Sequence, residues 1–351
     1  MAAGRITEIS ADECEKWDAV VKSMKDYEVF YLHGYLKAFQ HENAANGIPV
    51  LLYYENGTDR AVNAVFKRDI ALDSKMKGKA EAGRYYDLTV PYGYGGFWGN
   101  VSDYDSLNRV YDDYCRCSQY ICEFVRFALF GDYRSCYDGH TASRTHNVVR
   151  NLKISMEEMW MDFKPKVRKN VHTAQRHHLK VLADPDGKYL DDFLRIYYAT
   201  MDRANAGDDY YFSSNFFHDI SCMAGNYIYF HVLYEEKIIS SELVLYGAKN
   251  AYSFLGGTDS AYFALRPNDF LKYEILKWCK RKGLKNFVLG GGYGADDGIF
   301  QYKKCIAPHG IVEFYTGYKI FDQQIYDRLT DIRALENPQC KNTQYFPAYR
   351  A

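Results

Sequence analysis

With 351 residues, 47% of them hydrophobic and 25% charged, the chain has material for more than one core and reads as a soluble α/β protein of two domains. Its 44 basic residues are cancelled by 45 acidic ones, which excludes a global field that would draw it onto nucleic acid or an anionic membrane. Nine cysteines without CxxC spacing argue for reduced thiols over a disulfide framework or zinc site, and no signal peptide or long apolar run is visible, so a cytoplasmic chain with no membrane insertion is expected.

In chain order, the apolar periodicity of Trp17, Val20, Val21 and Met24, then Leu32, Tyr35, Leu36 and Phe39, predicts helix across 11–40. Val50 to Tyr54 and Val62 to Phe66 read as strands joined at Asn56-Gly57, a hairpin signal. A polar, basic loop, 69–84, leads to Tyr85-Tyr86-Asp87-Leu88, which runs into the turn-rich Pro91-Tyr92-Gly93-Tyr94-Gly95-Gly96. A helix over 105–118 and a buried strand over 121–129 close this half. The second half repeats the order. Helices are expected over 155–179 and 190–203, strands over 227–234, 238–246 and 251–256, an amphipathic helix over 270–282 and a strand over 286–289. The repetition suggests an internal duplication with a boundary near 139–152, giving domains 1–150 and 151–351.

The last strand empties into Gly290-Gly291-Gly292-Tyr293. Three consecutive residues without Cβ let a ligand approach the backbone closely. Asp296 and Asp297 read as caps of the next helix, which carries Tyr302 and Lys303. Upstream, 163–180 holds six Lys or Arg, three His and no acid. On a helix Arg168, His172 and Arg176 share a face attractive to phosphate, while Val167, Val171 and Ala174 turn to the core.

The basic helix Arg168–Ala174, the strand Ser240–Tyr246, the helix-Gly283-strand-Gly290 passage and Tyr302-Lys303 together resemble the Fem family of aminoacyltransferases and the tandem GNAT-fold N-acyltransferases around it. The resemblance covers the second half well and the first in layout. It implies two GNAT-like domains with mixed sheets flanked by helices, a substrate cleft, and transfer of an acyl or aminoacyl group to an amine. The donor would be acyl-CoA or aminoacyl-tRNA, which makes tRNA a candidate partner, and the acceptor a cell-wall precursor, an amino sugar or another small amine. The family's active-site lysine, which follows an aromatic residue, matches Lys303. Two departures stand out: Leu265–Asp269 has no glycine-rich phosphate loop, and 204–226 is too short for the helical arm of the tRNA users.

Attack of an amine on an ester or thioester needs a proton acceptor and charge on the developing oxyanion. Lys303 is the candidate for that charge and Glu242 for the base; Arg168, Arg176, Tyr92–Gly96 and Gly290–Tyr293 are candidate substrate contacts. No metal spacing, GxSxG or Cys/His signature appears, so no metal is expected. A non-catalytic binding or scaffold protein of this fold, or an RNA-binding module, is the alternative.

Overall fold

The computed structural model describes residues 4–292 and 297–351; Tyr293 and Asp296, singled out above, lie outside the described residues. In chain order the strands and helices are β1 Arg5–Ser10, α1 Cys14–Ser23, α2 His33–Glu42, β2 Ile48–Asn56, β3 Asp59–Asp69, β4 Tyr86–Thr89, β5 Trp98–Asn100, α3 Tyr104–Cys117, β6 Tyr120–Arg126 and α4 Tyr133–Cys136. There follow β7 His140–Asn151, α5 Met156–Asp162, α6 Pro165–Arg176, β8 Lys180–Asp184, α7 Leu190–Ala204, α8 Ser214–Ser221, β9 Tyr227–Tyr234 and β10 Lys237–Tyr246. Last come β11 Asn250–Thr258, α9 Pro267–Arg281, β12 Asn286–Gly290, α10 Gly298–Ile306, β13 Ile311–Ile320 and α11 Gln323–Ala334.

The chain divides into two compact units, one of Met1–Arg144 with Phe314–Ala351 and one of Thr145–Glu313. In the first, the strand order is β1-β2-β3-β4-β6-β13, with β5 beside β3. Pairing is antiparallel except for β4 and β6. In the second, the order is β8-β9-β10-β11-β12-β7, antiparallel except for β11 and β12. Each unit is therefore an antiparallel run, one parallel pair, and a closing antiparallel strand. The closing strands are exchanged. β7 follows β6 in the chain yet pairs with β12, and β13 follows β12 yet pairs with β6. This division differs from the expected one: 139–152, read as a boundary, is largely strand, and 314–351 goes with the first unit.

Local sequence explains most of the elements. The β2–β3 hairpin turns between Asn56 and Asp59, where Gly57 takes φ 61°. The long helix expected over 155–179 is instead α5 and α6, because Phe163 and Lys164 are extended ahead of Pro165. A proline disfavours helix in the residue before it but fits the first helical turn. A capping box of Ser155 and Glu158 starts α5. The helix expected over 11–40 is likewise broken into α1 and α2.

The second unit's core is formed by Val167, Val171 and Ala174 of α6, Phe270, Leu271, Ile275 and Leu276 of α9, and Ile228, Phe230 and Val244 of the sheet. In the first unit, Leu52, Val65, Leu88, Leu107, Tyr111 and Val125 pack between sheet and α3. A second cluster joins Ile121, Tyr326, Leu329 and Tyr349.

Candidate functional site

The parallel pair of the second unit is short. Asn250, Ala251 and Tyr252 of β11 face Asn286, Phe287 and Val288 of β12, and there the register ends. β11 continues to Thr258, whereas Gly290 of β12 pairs with Val148 on its other side. The strands thus part at their C-terminal ends, the place where open α/β sheets accept ligands.

Four polar side chains converge near that parting. Glu242 of β10 is 3% exposed and Lys272 of α9 is 8% exposed, and their charged groups form an ion pair. The Lys272 ammonium also donates to Ser253 Oγ at 2.7 Å. Lys303 of α10 donates from Nζ to the Gly291 carbonyl at 2.6 Å. Burial pulls the Lys303 ammonium down to about 8, and the positive charge of Lys272 pushes the same way against the pull of Glu242 and Asp297. Near neutral pH Lys303 is therefore charged but close to its titration point.

The glycines hold this geometry. Gly290 has φ 83°, which a side-chain-bearing residue rarely adopts, and a Cβ on it would stand 3.3 Å from Lys303 Nζ. A Cβ on Gly292 would meet Asp297 Oδ2 at 2.4 Å. Asp297 caps α10, as expected, through Oδ1 accepting from Ile299 N at 3.0 Å. One turn along, the Tyr302 hydroxyl is buried without a hydrogen bond of ordinary geometry, beside Asn268 and Asp269. Burial raises the Asp269 carboxyl, although Asn170 Nδ2 donates to it at 2.6 Å.

Sequence reasoning singled out Glu242 and Lys303 but not their neighbours Lys272, Ser253, Asn170 and Asp269. A signal was present in α9: Asp269, Lys272, Leu276 and Cys279 recur at three- and four-residue spacing, and all four are buried. Two charges on an apolar stripe imply partners on the facing sheet.

The other expected contacts have the following local surroundings. Arg168 is turned back on α5, where Nη1 donates to the carbonyls of Phe163 at 2.6 Å and Met161 at 2.9 Å, so it closes a helix end. Arg176 is exposed and donates to Thr173 Oγ1 at 3.1 Å. The shared basic face is thus divided, leaving a shallow depression of Trp160, Arg168, Lys169, His172, Gln175 and Arg176. Tyr92–Gly96 is anchored by contacts of the first unit. Gly96 O accepts from Tyr31 at 2.8 Å, Gly95 N donates to Arg126 O at 2.6 Å, and a Cβ on Gly93, at φ 107°, would strike the Phe30 ring. Tyr94 packs edge-on to Phe30, while Tyr92 is 51% exposed. Among the described residues there is no cluster of His, Cys, Asp and Glu able to hold a metal, and no helix is long and apolar enough to cross a membrane.

Residues 162–304 match the family described as acetyltransferase (GNAT) domain. No curated protein matches the chain in sequence. The crystal structure of FemX resembles it at a TM-score of 0.68 with 12% identity, over 92% of this chain and 99% of that one. A domain from Agrobacterium fabrum, assigned as the C-terminal domain of a lysylphosphatidylglycerol synthetase, has a TM-score of 0.54 at 13% identity, covering 93% of this chain and 96% of its own. L-PGS from Bacillus licheniformis gives 0.50 at 12%, covering 80% and 90%. The chain therefore has a Fem-like fold, and its residues 162–304 match the acetyltransferase (GNAT) domain.

Proposed function

We propose that the protein is an N-acyltransferase whose reaction centre lies where β11 and β12 part. The acceptor amine attacks the donor's ester or thioester carbonyl; the C–N bond forms, the C–O or C–S bond breaks, and the proton lost by the nitrogen passes to the departing oxygen or sulfur. The observation that carries this reading is the half-buried Lys303 ammonium, held at the strand end by Gly291 and tuned by burial and Lys272. In a site drier than water one such charge stabilises a developing oxyanion or a donor phosphate strongly. Glu242, locked to Lys272, balances that second charge in our reading rather than taking the acceptor's proton.

An aminoacyl ester is the favoured donor. A pyrophosphate held as in coenzyme A binding needs free N–H groups at a helix start. The start of α9 has Arg266 in the left-handed region, Pro267 without an N–H, and the carboxyl of Asp269 close by. The resemblance to a synthetase named for joining lysine to phosphatidylglycerol supports the same choice. Acyl-CoA remains the alternative donor, and the acceptor is an amine of a precursor, amino sugar or small metabolite.

The test measures transfer from aminoacyl-tRNA and from acyl-CoAs to a panel of amines. Lys303→Ala is expected to lower kcat about 100-fold with the fold intact, as loss of one preorganised donor does. If the ammonium is the working form, activity falls as pH rises past about 8. Full activity in Lys303→Ala would remove this lysine from the reaction.

A further inference from the structure

Arg126, the last residue of β6, differs from the other deeply placed arginines of the first unit. Arg68 and Arg350 both grip Asp87, and Arg333 holds the Ala351 carbonyl. Arg126 is half-buried, yet among the described residues its side chain has no carboxylate partner and one hydrogen bond, a long 3.5 Å contact from Nη1 to the Pro91 carbonyl. The Phe124 ring lies 5.6 Å from its guanidinium carbon. The titratable groups close enough to act on it are Tyr35, Tyr92 and Tyr345, all neutral at ordinary pH, and burial draws its pKa downward. A guanidinium offers five N–H donors, and withdrawing it from water without an acceptor costs free energy. Among the described residues of the unit, only that long bond and the Phe124 ring stand against the cost.

The position suggests what does. β4 and β6 are the parallel pair of this unit, and Arg126 ends one of them while Tyr92 follows the other. Ligands of such sheets sit beyond the C-terminal ends of parallel strands. Tyr92 and Tyr345 are 51% and 56% exposed, large rings kept in water next to an underused cation. Tyr35, which lies deeper, is committed to the Tyr92 carbonyl and fixes that loop.

We propose that Arg126, walled by Tyr92 and Tyr345, is an oxyanion-binding site of the first unit that takes the phosphate or carboxylate group of a small molecule. The forked guanidinium pairs with two oxygens of either group at once. The proposal is independent of the donor chosen above, because it involves no residue of the second unit.

The experiment uses the whole chain with two probes, inorganic pyrophosphate and N-acetylglycine, read by calorimetry and thermal shift. Binding of at least one is expected with a Kd of about 1 mM or tighter, and the probe that binds tells phosphate from carboxylate. Arg126→Lys keeps the charge but loses the fork and should weaken binding about 10-fold. Arg126→Gln should abolish it. Without ligand, Arg126→Gln should melt at the same temperature as the parent or higher, since an uncompensated charge has been removed. If that variant fails to fold or melts several degrees lower, Arg126 is structural and the proposal falls. It also falls if neither probe binds at ~10 mM, or if either variant binds like the parent.

Discussion

Both units bury charge, in opposite styles. In the first, Asp87 is 1% exposed and accepts from Arg68 at 2.6 Å, Arg350 at 2.6 Å and Tyr349 at 2.9 Å, while Arg350 also reaches Asp73 at 2.7 Å. Every carboxylate oxygen of Asp87 is used. In the second, Lys272 and Glu242 form an equally buried pair with one serine beside it, and a further ammonium, Lys303, stands close enough to feel it. A densely paired network braces a fold. A sparse one at a strand parting leaves charge available to a ligand, at some cost in stability.

Asp87→Ala is the hardest test of the contrast. It leaves two guanidiniums buried beside an empty space and should cost about 3–5 kcal/mol in denaturant unfolding. Burial pushes the Asp87 carboxyl up, but Arg68 and Arg350 together hold it below the usual range. Its contribution is then present above the unfolded carboxylate's pKa and lost as acid carries the pH below the folded one. A loss under 1 kcal/mol would show that the network is not bracing the unit.

The second unit's pair should behave differently when removed as a whole. Lys272→Met alone strands the Glu242 carboxylate and should cost about 3 kcal/mol. Adding Glu242→Leu should restore most of that stability while transferase activity stays low. Recovery of both would make the pair purely structural.

Glu123 of β6 offers a pH test confined to the first unit. Burial lifts its carboxyl to about 7, although Tyr111 and Tyr137 donate to it at 2.8 and 3.0 Å. A raised carboxyl binds more protons folded than unfolded, so its contribution is full below about 4.5 and fades as pH climbs through about 7. Stability should fall by on the order of 2 kcal/mol over that window, and Glu123→Gln should flatten the profile. The smallest effect belongs to Arg168→Ala. Losing the closure of α5 should cost about 1 kcal/mol and leave activity untouched. A large activity loss there would restore the basic face to the site.

Periodicity and turn chemistry in the sequence located the hairpin, α9 and the glycine-ended β12, and singled out Glu242 and Lys303 as candidates. The partners of those two were hidden because a helix pattern tells which residues are buried but not what they meet. Lys272 looks like any surface lysine until α9 is laid on β10. The setting of Arg168 was hidden for a related reason: the break at Phe163–Lys164 carries α6 back past the end of α5, and no spacing rule sees that return. The destination of β13 was equally silent, since an alternating strand fits any sheet with an open edge.

The exchange of closing strands also sets an order of assembly. Thr145–Glu313 is one continuous stretch, so the second unit can complete its sheet as soon as it has been synthesised. The first unit, begun earlier, must wait for β13, and Asp87 waits longer still, for Tyr349 and Arg350. During translation the first unit is finished after the second, with one edge of β6 open and Asp87 held by Arg68 alone until residues 349 and 350 emerge.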